Sequence, residues 1–205
     1  MITAIRTKKD VVTEFRTAGI LEAARKVFAT NGFSDATVDD IAAAAGVAKG
    51  TVYLYYRSKR EVYFAALKFG IEQMYDAVVA KLKSVSTPED KLRALISVKL
   101  AYFDENRDFF KIFYSELGKL CIHPGAIDKE FKALYLDQAR LVESILREGA
   151  RKKVLRSVRA EQAAFAISDI IRGVVTHRVL GWSKSKISQD VDFIFDLIWK
   201  GIAAT

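Results

Sequence analysis

Cysteine occurs once, proline twice and histidine twice in 205 residues, and each scarcity removes a class of explanation. A lone Cys121 excludes an intramolecular disulfide and fits a reducing cytoplasm, the expected location. Cys121 and His123 lie close in sequence, yet no third ligand follows at metal spacing, so no metal is expected. The same pair lacks an orienting group and oxyanion donors. No catalytic residue, no cofactor and no enzymatic activity are therefore expected, and one thiol gives redox sensing little footing. No apolar run reaches the roughly 18 residues that a membrane span needs, so no membrane partner is expected. Met1 to Phe15 lack the apolar core of a secretion signal and read as a short basic arm carrying Arg6, Lys8 and Lys9.

With helix breakers so rare and apolar residues recurring three and four apart, the spacing predicts an all-α chain of about nine helices. Half of the residues are hydrophobic (51%), enough for a packed core. The net charge of +8 attracts polyanions, nucleic acid first. That charge is dispersed: residues 1–65 hold 10 Lys and Arg against 7 Asp and Glu, and the remainder 23 against 18. Nucleic-acid binding must therefore be argued from a motif.

Ile20, Ala24, Val27 and Phe28 fall on one face of a helix from about Thr13 to Thr30, which Asn31-Gly32 ends. Thr37 caps a short helix with Asp39 and Asp40 in its first turn, and Gly46 closes it. A second short helix runs to about Tyr56. Ser58 caps a long fourth one, Lys59 to roughly Lys83, with Glu61 placed to reach back. Thr87-Pro88-Glu89-Asp90 starts the next. Helices are then expected over about 88–104, 107–119, 127–150, 160–181 and 188–203. The breaks fall at Asn106, at Cys121 to Gly125, over Gly149 to Arg159 and at Gly181 to Ser185.

The run from Thr37 to Tyr56 meets the physical requirements of a helix-turn-helix. Two helices crossing steeply need small residues at their contact, supplied by Ala42 and Ala45, and a short turn with a glycine, supplied by Gly46. Val38, Ile41, Val47 and Val52 close the angle, helped by Phe28 and Phe33. On the second helix, Lys49 and Gly50 sit at an N-terminus that favours phosphate or a base edge. Gly50 permits close approach to a groove wall. Thr51 suits bases or backbone, and Tyr53 and Tyr55 suit phosphate oxygens. Lys59 adds a cation at the next helix start. Against these roles, tyrosines on a short helix often pack half-buried, and a lysine is often merely solvated.

The string Ala45-Gly46-Val47-Ala48-Lys49-Gly50-Thr51-Val52-Tyr53, followed by Ser58-Lys59, resembles the TetR family of bacterial transcriptional regulators from Ile20 to about Tyr63. Ala48 departs from the usual serine or threonine cap, a loss of about 0.5–2 kcal/mol. Tyr56 replaces a usual phenylalanine, and Arg57 and Arg60 replace neutral and acidic residues. The resemblance implies a helix-turn-helix DNA-binding domain over residues 1–65 and an effector-binding and dimerisation domain over 66–205. It implies a homodimer paired through the last two helices and bound to double-stranded operator DNA. It further implies a repressor released when a small molecule moves the fourth helix and changes the spacing of the heads. Thr37, Lys49, Gly50, Thr51, Tyr53, Tyr55 and Lys59 are the expected DNA-binding residues.

The body is rich in aromatics, including Phe109, Phe110, Tyr114, Phe131, Phe165 and Trp182, which suits an apolar or amphipathic effector although such residues at helical spacing are mostly core. Phe103, Phe113, Leu117, Tyr135, Arg172 and His177 are the candidate effector-binding residues, with Arg172 and His177 suited to an acidic ligand group. A fatty-acyl compound and a planar drug are both compatible. Two alternatives stand beside this reading: a non-specific DNA-binding protein with a steep salt slope, and a helical ligand- or partner-binding protein whose head no longer serves DNA.

Overall fold

The structure, a computed structural model, describes residues 8–122 and 129–202, with the side chains of residues 8–11 and 119–122 excepted. Among them are nine α-helices and no strand: α1 Lys8–Asp35, α2 Val38–Ala45, α3 Lys49–Tyr55, α4 Lys59–Leu82, α5 Pro88–Glu105, α6 Arg107–Ile122, α7 Lys129–Arg151, α8 Ala160–Val179 and α9 Ile187–Ile202. The all-α expectation holds. Two boundaries differ. α1 begins at Lys8, so the second half of the expected arm is helical; nothing from Lys8 to Ala18 breaks a helix. At Asn31-Gly32 the regular helix breaks as expected, Gly32 taking φ 75° and ψ 172°, and one further turn carries α1 to Asp35. The backbone of Cys121 and Ile122 continues α6, while His123, Pro124 and Gly125 lie outside the described residues, as does the side chain of Cys121.

The helix starts follow their caps. The Thr37 hydroxyl accepts from the Asp40 N–H (3.1 Å), and the Asp40 carboxylate accepts from the Thr37 N–H (2.9 Å), a reciprocal capping box. Thr87 accepts from the Asp90 N–H at 3.0 Å, with Pro88 in the first turn of α5. Ahead of α4, Ser58 accepts from the Glu61 N–H (3.2 Å). The Glu61 carboxylate reaches back one residue further than expected, accepting from the Arg57 N–H at 2.7 Å.

The chain forms two compact units that do not follow chain order. One takes in the chain to Gly70 and resumes at Asp108; the other takes Ile71–Arg107 and the described residues from Lys129 onward. α6 therefore packs with the head. Three contacts explain this. Arg25 of α1 pairs with Asp108 (3.5 Å), and the Tyr63 hydroxyl of α4 donates to Glu116 (2.8 Å), all four side chains lying largely buried. The third is steric: a Cβ on Gly70 would lie 2.3 Å from the fully buried Phe109 ring, so only glycine lets α4 and α6 approach this closely. Ile20, Phe28, Ile41, Val52 and Leu67 complete the core of this unit.

In the second unit Leu95, Ile96 and Leu100 of α5, Val142 and Leu146 of α7, Ile171 of α8 and Ile194 of α9 are buried. Arg178 holds Asp190 (2.6 Å) and Asp104 (2.9 Å), and Lys91 holds Glu148 (2.6 Å). Lys99 lies in the buried face of α5, and burial lowers its pKa to about 8. Among the described residues no carboxylate pairs with it. No helix among them is long and apolar enough to cross a membrane.

Candidate nucleic-acid interface

α2 and α3 are joined by Gly46 in the left-handed conformation (φ 65°, ψ 32°), its N–H bonded to the carbonyls of Ala42 and Ala43. Val38, Ile41, Ala42 and Val52 are buried beneath the angle, and Val47 is half-buried. Phe33 is more exposed but stacks on Phe28 (6.0 Å) and meets Tyr63 edge-on (5.1 Å). Each of these residues therefore positions the outer face of α3 without belonging to it.

That face holds Lys49, Gly50, Tyr53 and Leu54 exposed, with Thr51 and Tyr55 half-buried. Ala48 makes no side-chain bond to the start of α3; its carbonyl accepts from the Thr51 N–H (2.8 Å), which leaves the Lys49 and Gly50 N–H groups open to an outside acceptor. Gly50 meets nothing within 4 Å of where a Cβ would stand, so no internal packing demands a glycine there.

Two of the expected residues already have internal duties. The Lys59 ammonium donates to the carbonyls of Ser34 (2.9 Å) and Ala36 (2.8 Å) and sits 4.8 Å above the Phe33 ring. It pins the start of α4 to the α1–α2 junction and leaves one N–H of the ammonium beyond these two bonds. The Thr37 hydroxyl caps α2, and its hydroxyl and N–H bonds hold the Asp40 carboxyl below its usual range. Lys49 bonds Asp39 at 2.7 Å, which raises the lysine's pKa; both are exposed, so the pair is weak and open to exchange for phosphate. The Tyr56 hydroxyl is raised to about 12, chiefly by burial.

Leu54, 81% exposed near the C-terminal end of α3, is not among the expected residues. The available signal was its place between Tyr53 and Tyr55, opposite the buried Val52. An apolar side chain there suits a thymine methyl.

The six candidate effector residues are shared between the two units. Phe113 and Leu117 share a buried face of α6 in the first unit. In the second, Phe103 is buried, and Tyr135 is half-buried with its ring 6.2 Å from Phe165. Arg172 is ion-paired with Asp169. His177 is exposed, its ring 5.4 Å from that of Trp182.

The fold and the α2–turn–α3 surface define a helix-turn-helix regulator, and comparison with known proteins agrees. Residues 20–66 match the bacterial regulatory proteins of the tetR family, and residues 85–176 match the tetracyclin repressor-like C-terminal domain. The chain belongs to the TetR family and is a DNA-binding transcriptional regulator. It is 26% identical over 184 residues to the fatty acid metabolism regulator protein of Bacillus subtilis (strain 168), covering 89% of this chain and 93% of that one. The fatty acid degradation regulator FadR of Bacillus halodurans superposes with a TM-score of 0.78 at 24% identity, covering 90% and 94% of the two chains. FadR from Bacillus subtilis in complex with stearoyl-CoA superposes at 0.76 and 23%, covering 90% and 98%.

Proposed function

We propose that this protein is a homodimeric repressor that leaves its operator when a long-chain acyl thioester binds. The observation that carries the DNA half is the outer face of α3: an N-terminus without a side-chain cap, a glycine with open space around it and exposed Lys49, Tyr53 and Leu54. Gly50 and Thr51 stand nearest the bases. Lys49, Tyr53, Tyr55, Thr37 and Lys59 take phosphates, the last two after serving the fold. Residues 1–65 read DNA, and residues 66–205 bind effector and dimerise. Dimerisation is supported by the apolar residues that α9 and the segment between α8 and α9 leave outward: Phe193 (60% exposed), Leu197 (54%) and Trp182 (70%). Two heads so joined fit half-sites roughly 34–36 Å apart.

Release runs through α6. It bonds α1 and α4 by Arg25–Asp108 and Tyr63–Glu116, so an effector that repacks α6 around Phe113 and Leu117 displaces the head's supports. For this to release DNA, the effector must bind the DNA-incompetent state more tightly. The acyl class is supported by the 26% identity, over most of both chains, to a fatty acid metabolism regulator. The test is titration of stearoyl-CoA into the protein bound to fluorescent DNA from upstream of its own gene. Anisotropy falls with stearoyl-CoA and stays constant with free coenzyme A. An equal response to both, or to neither, removes the acyl reading.

A further inference from the structure

A groove of about 610 Å³ runs between the second half of α4 and α7, wholly within the second unit, and none of the candidate effector residues lines it. Its volume is in the range of small-molecule sites. Ile71, Leu134 and Leu141 give it apolar walls, and Tyr75 adds a half-open ring. Gln138, 8% exposed, also lines it, and the buried amide nitrogen Nε2 has no hydrogen-bond partner. A donor left so is costly unless something supplies an acceptor.

Charge defines the rest. Glu72 and Asp76, four residues apart on α4, are both exposed, have no cationic partner among the described residues and repel each other along their own helix. Across the groove Asp137 is already paired with Arg140 (2.6 Å), so the lining is net negative. Apolar walls, an aromatic ring, one unmet donor and two free carboxylates do not suit a polyphosphate such as coenzyme A. They suit a ligand of opposite sign.

We propose that the α4–α7 groove binds a small amphipathic organic cation carrying a hydrogen-bond acceptor. The cationic head lies between Glu72 and Asp76 against Tyr75, the apolar part on Ile71 and Leu141, and the acceptor on Gln138 Nε2. This site is additional to the acyl-thioester reading and does not depend on it.

The probes are butyrylcholine, which combines a trimethylammonium group, an ester carbonyl and a short chain, and its uncharged isostere 3,3-dimethylbutyl butyrate. Calorimetric titration of the full-length protein should show one butyrylcholine per chain, bound at least about tenfold more tightly than the isostere. Glu72→Gln with Asp76→Asn should erase that preference, and Gln138→Leu should weaken both probes about tenfold. Melting curves and operator binding establish that the variants fold. Equal affinity for the two probes, no binding, or indifference to the substitutions overturns the proposal. Release by stearoyl-CoA, measured on the same variants, should be unchanged. Its loss in Gln138→Leu without butyrylcholine binding to the parent would assign the groove to the acyl effector and also overturn the proposal.

Discussion

Several side chains of the head act twice, and separating their roles decides which variants are informative. Lys59 was legible as a cation at a helix start, but its two bonds to the Ser34 and Ala36 carbonyls were not, because they join residues far apart in sequence. Lys59→Ala should therefore lower head stability, by about 1–3 kcal/mol for a charged group's hydrogen bonds, as well as DNA affinity. Gly50 is the cleaner probe. With open space around it, Gly50→Leu should leave the melting temperature unchanged or raised, since glycine disfavours helix, and should weaken operator binding at least about tenfold. A large fall in melting temperature would mean that Gly50 serves the fold. Lys99 offers a test with the opposite sign. Its pKa falls from 10.5 to about 8 on folding, so the native state binds fewer protons than the unfolded one between those values. Stability from this group rises with pH across that window and is penalised below it. Lys99→Met should stabilise the protein at pH 7 by on the order of 3 kcal/mol, a gain that shrinks from pH 8 to 10.5. Denaturant titrations at pH 7 and 10 check it; a gain independent of pH would contradict the assignment.

Among the elements, the caps were the most readable features. Thr37, Gly46, Ser58 and Thr87 mark helix ends through local chemistry, and the structure uses all four. Gly32 leaves helical φ/ψ where a stop was expected, but the further turn to Asp35, with Phe33 against Phe28 and Tyr63, was not legible because those rings meet across the fold. The membership of α6 in the head's compact unit was not legible, since it rests on Gly70 meeting Phe109 and on Tyr63 reaching Glu116 across some 50 residues of chain. Gly70→Ala should cost about 1–3 kcal/mol by overpacking, and less in a Phe109→Ala background. Additive costs in that double-mutant cycle would show that the two helices do not meet there.

For the molecule as a whole, the proposed dimer draws general attraction to DNA from its dispersed basic charge and its specificity from α3 presented twice. Phe193→Glu with Leu197→Glu should yield monomers by sedimentation and a correspondingly weaker operator complex, while each chain keeps its helical content. Persistence of a dimer would move the interface away from the outward face of α9. The measurement that bears most directly on the account is fluorescence anisotropy with DNA upstream of the protein's own gene, set against a scrambled duplex at near-physiological salt. The account predicts at least about a hundredfold preference for the native sequence, lost in Tyr53→Ala. Equal affinity for both duplexes, unchanged in Tyr53→Ala, would contradict it.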